Sequence, residues 1–185
     1  MSSTGPYDPR SIANLLLDIA DQHRRPLTNL ELQKLLYFAH AIFLIETRGE
    51  PLISGCFEAW QYGPVHPAVY KAFKEAGDQP IKVRARRIDV LTGVKFDVAP
   101  STSPAIRALC IRIVAQYGRM TAGRLVEISH AKNAPWQYVV NKAKISTARG
   151  LRIPDSVIMQ RFRYHKVFVG AEPTYGDPSE DTPLA

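Results

Sequence analysis

At 185 residues, 45% of them hydrophobic, the chain has the size and composition of one globular domain whose core can bury about 70% of the unfolded surface, so folding requires no disulfide staple. Cys56 and Cys110 stand outside any C-x-x-C pair, the opening M-S-S-T-G-P-Y-D-P-R lacks a secretory leader's pattern, and the longest apolar run, Leu35 to Ile45, falls short of the ~20 residues that span a bilayer; we expect a reduced, cytoplasmic protein without a membrane partner. The net charge of +7 is uneven: residues 1–75 hold 7 basic and 8 acidic side chains, residues 76–170 hold 17 and 5, and residues 171–185 hold 4 acidic and no basic ones.

In chain order, Asp8 caps a first helix with Pro9 at its first position, and Ile12, Leu15, Leu16 and Ile19 recur at helical spacing along a buried face. Arg24-Arg25-Pro26 ends it. Thr28 and Glu31 have capping-box spacing for a second helix that runs to about Thr47, with Gly49 placed to stop it. From Leu35 to Ile45 this helix is apolar nearly all round, as a central buried helix is. Phe57 to Tyr62, bounded by Gly55 and Gly63, reads as a strand or extended connector. Alternation sends Phe57, Ala59 and Gln61 to one side and Glu58, Trp60 and Tyr62 to the other. Pro64 and Pro67 then stiffen a sharp corner, and Pro67 opens a third helix with Val69, Tyr70 and Phe73 inward and Gly77 past its end.

Ile81, Val83 and Ala85 alternate with Lys82, Arg84 and Arg86, a strand pattern with a basic outer face. Thr92-Gly93 would turn it into a second strand, Val94 to Val98; the competing reading is a long basic loop. Ser103 and Pro104 open a helix bearing Ile106, Leu109, Ile113 and Tyr117 that ends at Gly118. Thr121 caps a shorter one through Leu125, Val126 and Ile128, His130 to Pro135 is a loop into a helical turn or two at Trp136, and Asp155 caps a last helix with Val157, Ile158 and Phe162. The expected fold is mainly α, a compact helical domain around a central buried helix with a short extended segment or small antiparallel β hairpin. Residues 1–7 form an N-terminal extension, 8–170 the domain, and 171–185 an acidic, proline-containing tail with an exposed segment's composition.

Catalytic chemistry finds no motif. His23, His40, His66, His130 and His165 do not pair at metal-ligand spacing, and His40 on its apolar helix reads as a hydrogen-bonded core residue. Cys56 with His66 or His130 lacks a local nucleophile motif, and no G-x-S-x-G, Walker-type loop or G-x-G-x-x-G occurs. No catalytic, cofactor-binding or metal residue is assigned. The rigid aromatic corner has two readings. Either Trp60, Tyr62 and Tyr70 pack the third helix on the second, or they form an interaction surface with Glu58 and His66, since Trp and Tyr dominate interface energetics.

Leu32-Gln33-Lys34-Leu35-Leu36-Tyr37-Phe38-Ala39, followed by Pro51-Leu52, resembles the first motif of the Panacea (SocA-like) antitoxin domain family, which includes phage-associated proteins. Glu58-Ala59-Trp60, Tyr62-Gly63-Pro64-Val65 and Val69-Tyr70 resemble its second, and His130 with Pro135-Trp136 its third. The resemblance covers roughly residues 8–165. It implies a mostly helical domain, no enzymatic activity, no cofactor, and neutralisation of a cognate toxin in a type II-like toxin–antitoxin system, mostly by direct contact. The SocA member resembles an adaptor that delivers its toxin to a AAA+ protease, so that mode stays open. A second alternative is a nucleic-acid-binding regulator using the basic half, though no helix-turn-helix or RNP-like motif accompanies the charge. A third is a small hydrolase or transferase using His66 or His130.

The candidate partner surface therefore joins Glu58, Trp60, Tyr62, His66 and Tyr70 to Arg84, Arg86 and Arg87. Charge reversal of those three arginines together is expected to weaken toxin binding at low salt, as a titration at two ionic strengths would show; unchanged affinity would remove the basic region from the interface.

Overall fold

A computed structural model describes residues 6–89, 91–100, 103–143 and 150–165. The tail at 171–185 and most of the N-terminal extension lie outside the described residues. The architecture is mainly α, with seven α-helices and two small antiparallel sheets among the described residues.

Helix α1 spans Pro9–Gln22, and the Asp8 carboxylate accepts from the Arg10 backbone N–H at 2.9 Å as its N-cap. Helix α2 spans Asn29–Glu46 behind a complete capping box: Thr28 Oγ1 accepts from Glu31 N at 3.3 Å and Glu31 Oε2 accepts from Thr28 N at 2.8 Å. The Gly49 N–H donates to Leu44 O at 2.8 Å and its φ is +118°, a left-handed stop that only glycine adopts without strain. Helix α3 spans Pro67–Phe73 and continues as a 3-10 turn, Lys74–Ala76. Helices α4 (Pro104–Tyr117), α5 (Ala122–Ser129), α6 (Pro135–Ala143) and α7 (Asp155–Arg161) follow.

Helix α2 is central, packing against α1, α3, α4, α5 and α7. Its buried stretch begins earlier than the apolar run suggests. Asn29, Gln33 and Lys34 are buried near its start, while Ile45 near its end is 44% exposed. Polar groups go inside here because a neighbouring backbone supplies partners, and the C-terminal turn is partly exposed, with Glu46 paired to Arg112 of α4. Asp155 stands at the first position of α7 rather than before it; Pro154 is the N-cap, and the Asp155 carboxylate meets His40 Nε2 at 3.1 Å.

The extended segment is a strand, β1 (Phe57–Trp60), and the Gly-Pro corner after it pairs back as β2 (Gly63–Val65). Glu58 stands opposite Val65 and Trp60 opposite Gly63, so Gln61-Tyr62 form a tight turn. Strand β5 (Arg152–Ile153) joins the other edge of β1. The second sheet is a lone hairpin, β3 (Arg86–Ile88) with β4 (Lys95–Asp97). It starts later than the alternation of Ile81 to Arg86 implies, because 81–85 form an extended root tied to the helices. Ile81 N donates to Leu27 O at 2.8 Å, Ile81 and Ala85 are buried, and Val83 turns outward at 67% exposure. At the tip, Asp89 Oδ1 accepts from the backbone N–H groups of Leu91 and Thr92, both at 2.9 Å, which holds its carboxyl below the usual range.

Asn14 clamps both strands of this root. Its Oδ1 accepts from Ala85 N at 2.8 Å, and its Nδ2 donates to Val98 O at 2.8 Å and Ala85 O at 3.2 Å; Ser11 Oγ adds a bond to Ala99 O at 2.8 Å. Replacing Asn14 by Ala strands buried backbone groups and should cost about 1–3 kcal/mol. Amide exchange at 85–98 should accelerate selectively. Unchanged denaturation midpoint and exchange would show that the hairpin is held elsewhere.

Candidate partner-binding site

Two neighbouring regions hold the residues singled out from the sequence. The first is the aromatic corner. Trp60 is 4% exposed; its Nε1–H donates to Glu58 Oε2 at 2.9 Å, and its ring meets Tyr70 edge-on at 4.7 Å between centroids. The carbonyl of Trp60 accepts from Trp136 Nε1 at 2.8 Å, and His130 stacks on Trp136 at 3.8 Å. The His66 backbone N–H donates to Gln33 Oε1 at 2.8 Å, and its Nε2 lies 3.0 Å from Ser54 O, a donor geometry that fits a neutral ring, since burial lowers its pKa. Lys34 Nζ donates to Pro64 O at 3.3 Å. Gly63 has φ +102°, and a Cβ there would press on the Ser129 and Lys34 side chains. Trp60 and His66 thus bond within the interior, while Glu58, Tyr62 and Tyr70 are half-buried at its margin.

The second region is a groove of about 1000 Å³ between α1, α3 and the β3–β4 hairpin. Ala68, Ala72, Ala85 and Ala99 are among its lining, with Asp18 and Glu75 beside them, and the cross-strand pairs Arg86–Asp97 and Ile88–Lys95 present one hairpin face to it. Arg87 pairs with Phe96 between them and so points to the opposite face. Arg84, Arg86 and Arg87 therefore do not make one cationic patch. Arg84 bonds Asp18 at 2.7 Å and Asp21 at 2.5 Å, and Arg86 bonds Asp97 at 2.9 Å. Reversing Arg84 would also unfasten the hairpin root from α1.

The hairpin's apolar content stands out. Of the eight large hydrophobic side chains that are exposed among the described residues, five (Val83, Ile88, Leu91, Val94 and Phe96) lie on it or its root. A soluble domain rarely gathers such residues without a partner for them. Sequence alternation pointed to the basic residues here but not to this apolar set. Asn14, Gln33 and Lys34 were also missed as site-forming residues. For Gln33-Lys34 the signals were their place in the first motif and a polar pair inside an apolar helix; Asn14 left none.

The described residues contain no group of three His, Cys, Asp or Glu side chains able to hold a metal ion, and no helix among them is long and apolar enough to cross a membrane. Burial pushes the Cys110 thiol up to about 12, so it is not a thiolate at neutral pH.

Helices gathered on a buried central helix, a Trp-bearing hairpin bonded to its Gln-Lys pair, and a His–Trp stack closing the far side together define a class of domain. The chain belongs to the antitoxin SocA-like, Panacea-domain family, whose profile matches residues 32–137. It is 46% identical over 176 residues to the protein named Antitoxin SocA of Caulobacter vibrioides (strain NA1000 / CB15N), covering 95% of this chain and 93% of that one. No solved structure matches it.

Three histidines make this core sensitive to acid. Burial, with the Lys34 charge adding to it, lowers His130 to about 4; burial lowers His165 to about 4 against the pull of the Phe162 carbonyl, and it lowers His66 as well. All three are neutral at pH 7. The unfolded chain, with histidines near 6.5, takes up protons first as pH falls. Stability is therefore full above about pH 6.5 and is lost between there and pH 4, by roughly 3 kcal/mol each for His130 and His165. Urea midpoints from pH 7 to pH 4.5 should fall, and less steeply in His130→Asn. Equal slopes would mean that His130 is not held neutral.

Proposed function

We propose that the chain is an antitoxin that neutralises a cognate toxin, encoded by an adjacent gene, by binding it directly. The gathering of five exposed apolar side chains on one hairpin and its root carries this reading. A non-catalytic antitoxin must cover a surface on its target, and stable interfaces bury about 1,200–2,000 Å² with an apolar centre and a charged rim. The hairpin supplies both, with Lys82, Arg86, Arg87 and Lys95 around its apolar residues. Glu58, Tyr62 and Tyr70, half-buried at the margin of the aromatic corner, are a second contact region in this reading, and Trp60 and His66 hold that margin rigid from within. The 46% identity to a protein named an antitoxin supports the role. Delivery to a AAA+ protease and nucleic-acid binding are the other outcomes to separate.

The adjacent gene is induced alone and then with this chain, and growth, partner level and co-purification are scored. Toxicity alone, rescue together and a stable complex at undiminished partner level are expected. Rescue with disappearance of the partner, reversed in a host lacking the protease, would replace occlusion by delivery. A harmless neighbour that does not co-purify would overturn the antitoxin reading, and retention of the chain on nucleic acid in a salt-dependent manner would put the regulator in its place.

A further inference from the structure

We propose that strand β4 pairs edge to edge with β4 of a second copy of this chain, joining two hairpins into one four-stranded antiparallel sheet. The hairpin has no third strand among the described residues, and every residue from Leu91 to Asp97 is exposed. Asp89 N donates to Val94 O at 2.9 Å, which makes Asp89–Val94 and, two positions on, Arg87–Phe96 the hydrogen-bonded pairs of the ladder. The main-chain N–H and C=O groups of Lys95 and Asp97 therefore face away from β3, along an exposed edge. Such an edge is a template for another strand.

The order Lys95-Phe96-Asp97 selects a copy of itself as the occupant. A twofold axis at Phe96 sets Lys95 opposite Asp97 of the second copy, and Asp97 opposite Lys95 of that copy. These are the residues whose main-chain groups point outward, so each pair exchanges two backbone hydrogen bonds and brings opposite charges together. Lys95 makes no ion pair with a carboxylate among the described residues. The Asp97 carboxylate accepts from Arg86 on Oδ1 at 2.9 Å and is 85% exposed, which leaves room for a lysine at its second oxygen. Moving the axis to Lys95 or to Asp97 sets like charges opposite each other, and an axis at the centre of β3 sets Arg87 against Arg87. On the other face of the sheet Phe96 meets Phe96 of the second copy as a non-hydrogen-bonded pair, the closer kind, with Val94 opposite that copy's Val98. Phe96 and Val94 are 47% and 49% exposed in the single chain. Pairing stops at Ala99, whose carbonyl is taken by Ser11 Oγ. Edge pairing leaves both faces of the sheet open, so each copy keeps the apolar residues assigned to a toxin, and the dimer stands or falls independently of the antitoxin reading.

The test is sedimentation equilibrium of the purified full chain at low salt. So short an interface falls below the roughly 1,200 Å² of standard complexes, and a dimer with a dissociation constant of about 10–100 µM is expected. Lys95→Asp sets Asp against Asp at both pairs, and Asp97→Lys sets Lys against Lys. Each alone should weaken self-association about tenfold or more. An equimolar mixture of the two, in which every pair is again of opposite sign, should recover it to within about threefold of the parent. Both positions are exposed, so neither change enters the core. Phe96→Cys brings two thiols across the axis with about 4.5 Å between Cα atoms and should give a disulfide-linked dimer under oxidised glutathione. Ile88→Cys, three strand spacings or about 14 Å from its copy, should not. Four results would each overturn the β4 pairing while leaving the antitoxin reading intact. They are a parent chain still monomeric at about 500 µM, Lys95→Asp associating as the parent does, a mixture that does not recover, and Ile88→Cys linking as readily as Phe96→Cys.

Discussion

A buried polar pair on the central helix is the constraint on which the rest of the structure depends. Gln33 and Lys34 are fully enclosed on α2, and each is bonded to the backbone of the β1–β2 hairpin and its exit, through His66 N and Pro64 O. A buried cation or amide without partners costs several kcal/mol, so the hairpin can sit on α2 only in the register that supplies these groups. That register puts Gly63 where no side chain fits and starts α3 at Pro67 on the same course. Leucines at 33 and 34 would pack the helix but would not say where the hairpin belongs.

The three motifs shared with the family meet around this pair. Trp60, Gly63-Pro64 and His66 approach from the hairpin, and His130 and Trp136 close the far side. They make a joint between elements. Most of the exposed apolar side chains lie apart from it, on the β3–β4 hairpin and its root. Asn14 links the two, holding the hairpin root to α1, which itself packs on α2. The motif residues thus lie in the interior, and the exposed apolar residues gather on a separate hairpin.

Net charge misleads about the basic half. Its +12 total suggested a cationic face, yet many of its arginines are engaged with carboxylates: Arg84 with Asp18 and Asp21, Arg86 with Asp97, Arg112 with Glu46 and Arg124 with Glu127. Exposed pairs of this kind add about 0–1 kcal/mol each, so their main effect is to cancel local field. The groove beside the hairpin accordingly carries both signs, with Asp18, Glu75 and Asp97 among its basic residues.

The sequence by itself determined the helical frame. The Asp8 and Thr28–Glu31 caps, the Gly49 stop, the periodic faces of α1, α4 and α5 and the mainly α class all follow from interactions within a few residues, which local spacing records. The tandem motifs also carried the family. Only the tertiary structure decided which aromatics are interior, because Trp60 is covered by Tyr70 from another element and strand alternation cannot report a neighbour's position. It also decided that Asp155 serves His40, that Arg87 points away from Arg84 and Arg86, and that an asparagine without any motif anchors the hairpin. Each of these depends on groups far apart in the chain, and their partners are chosen by packing, which no local pattern encodes.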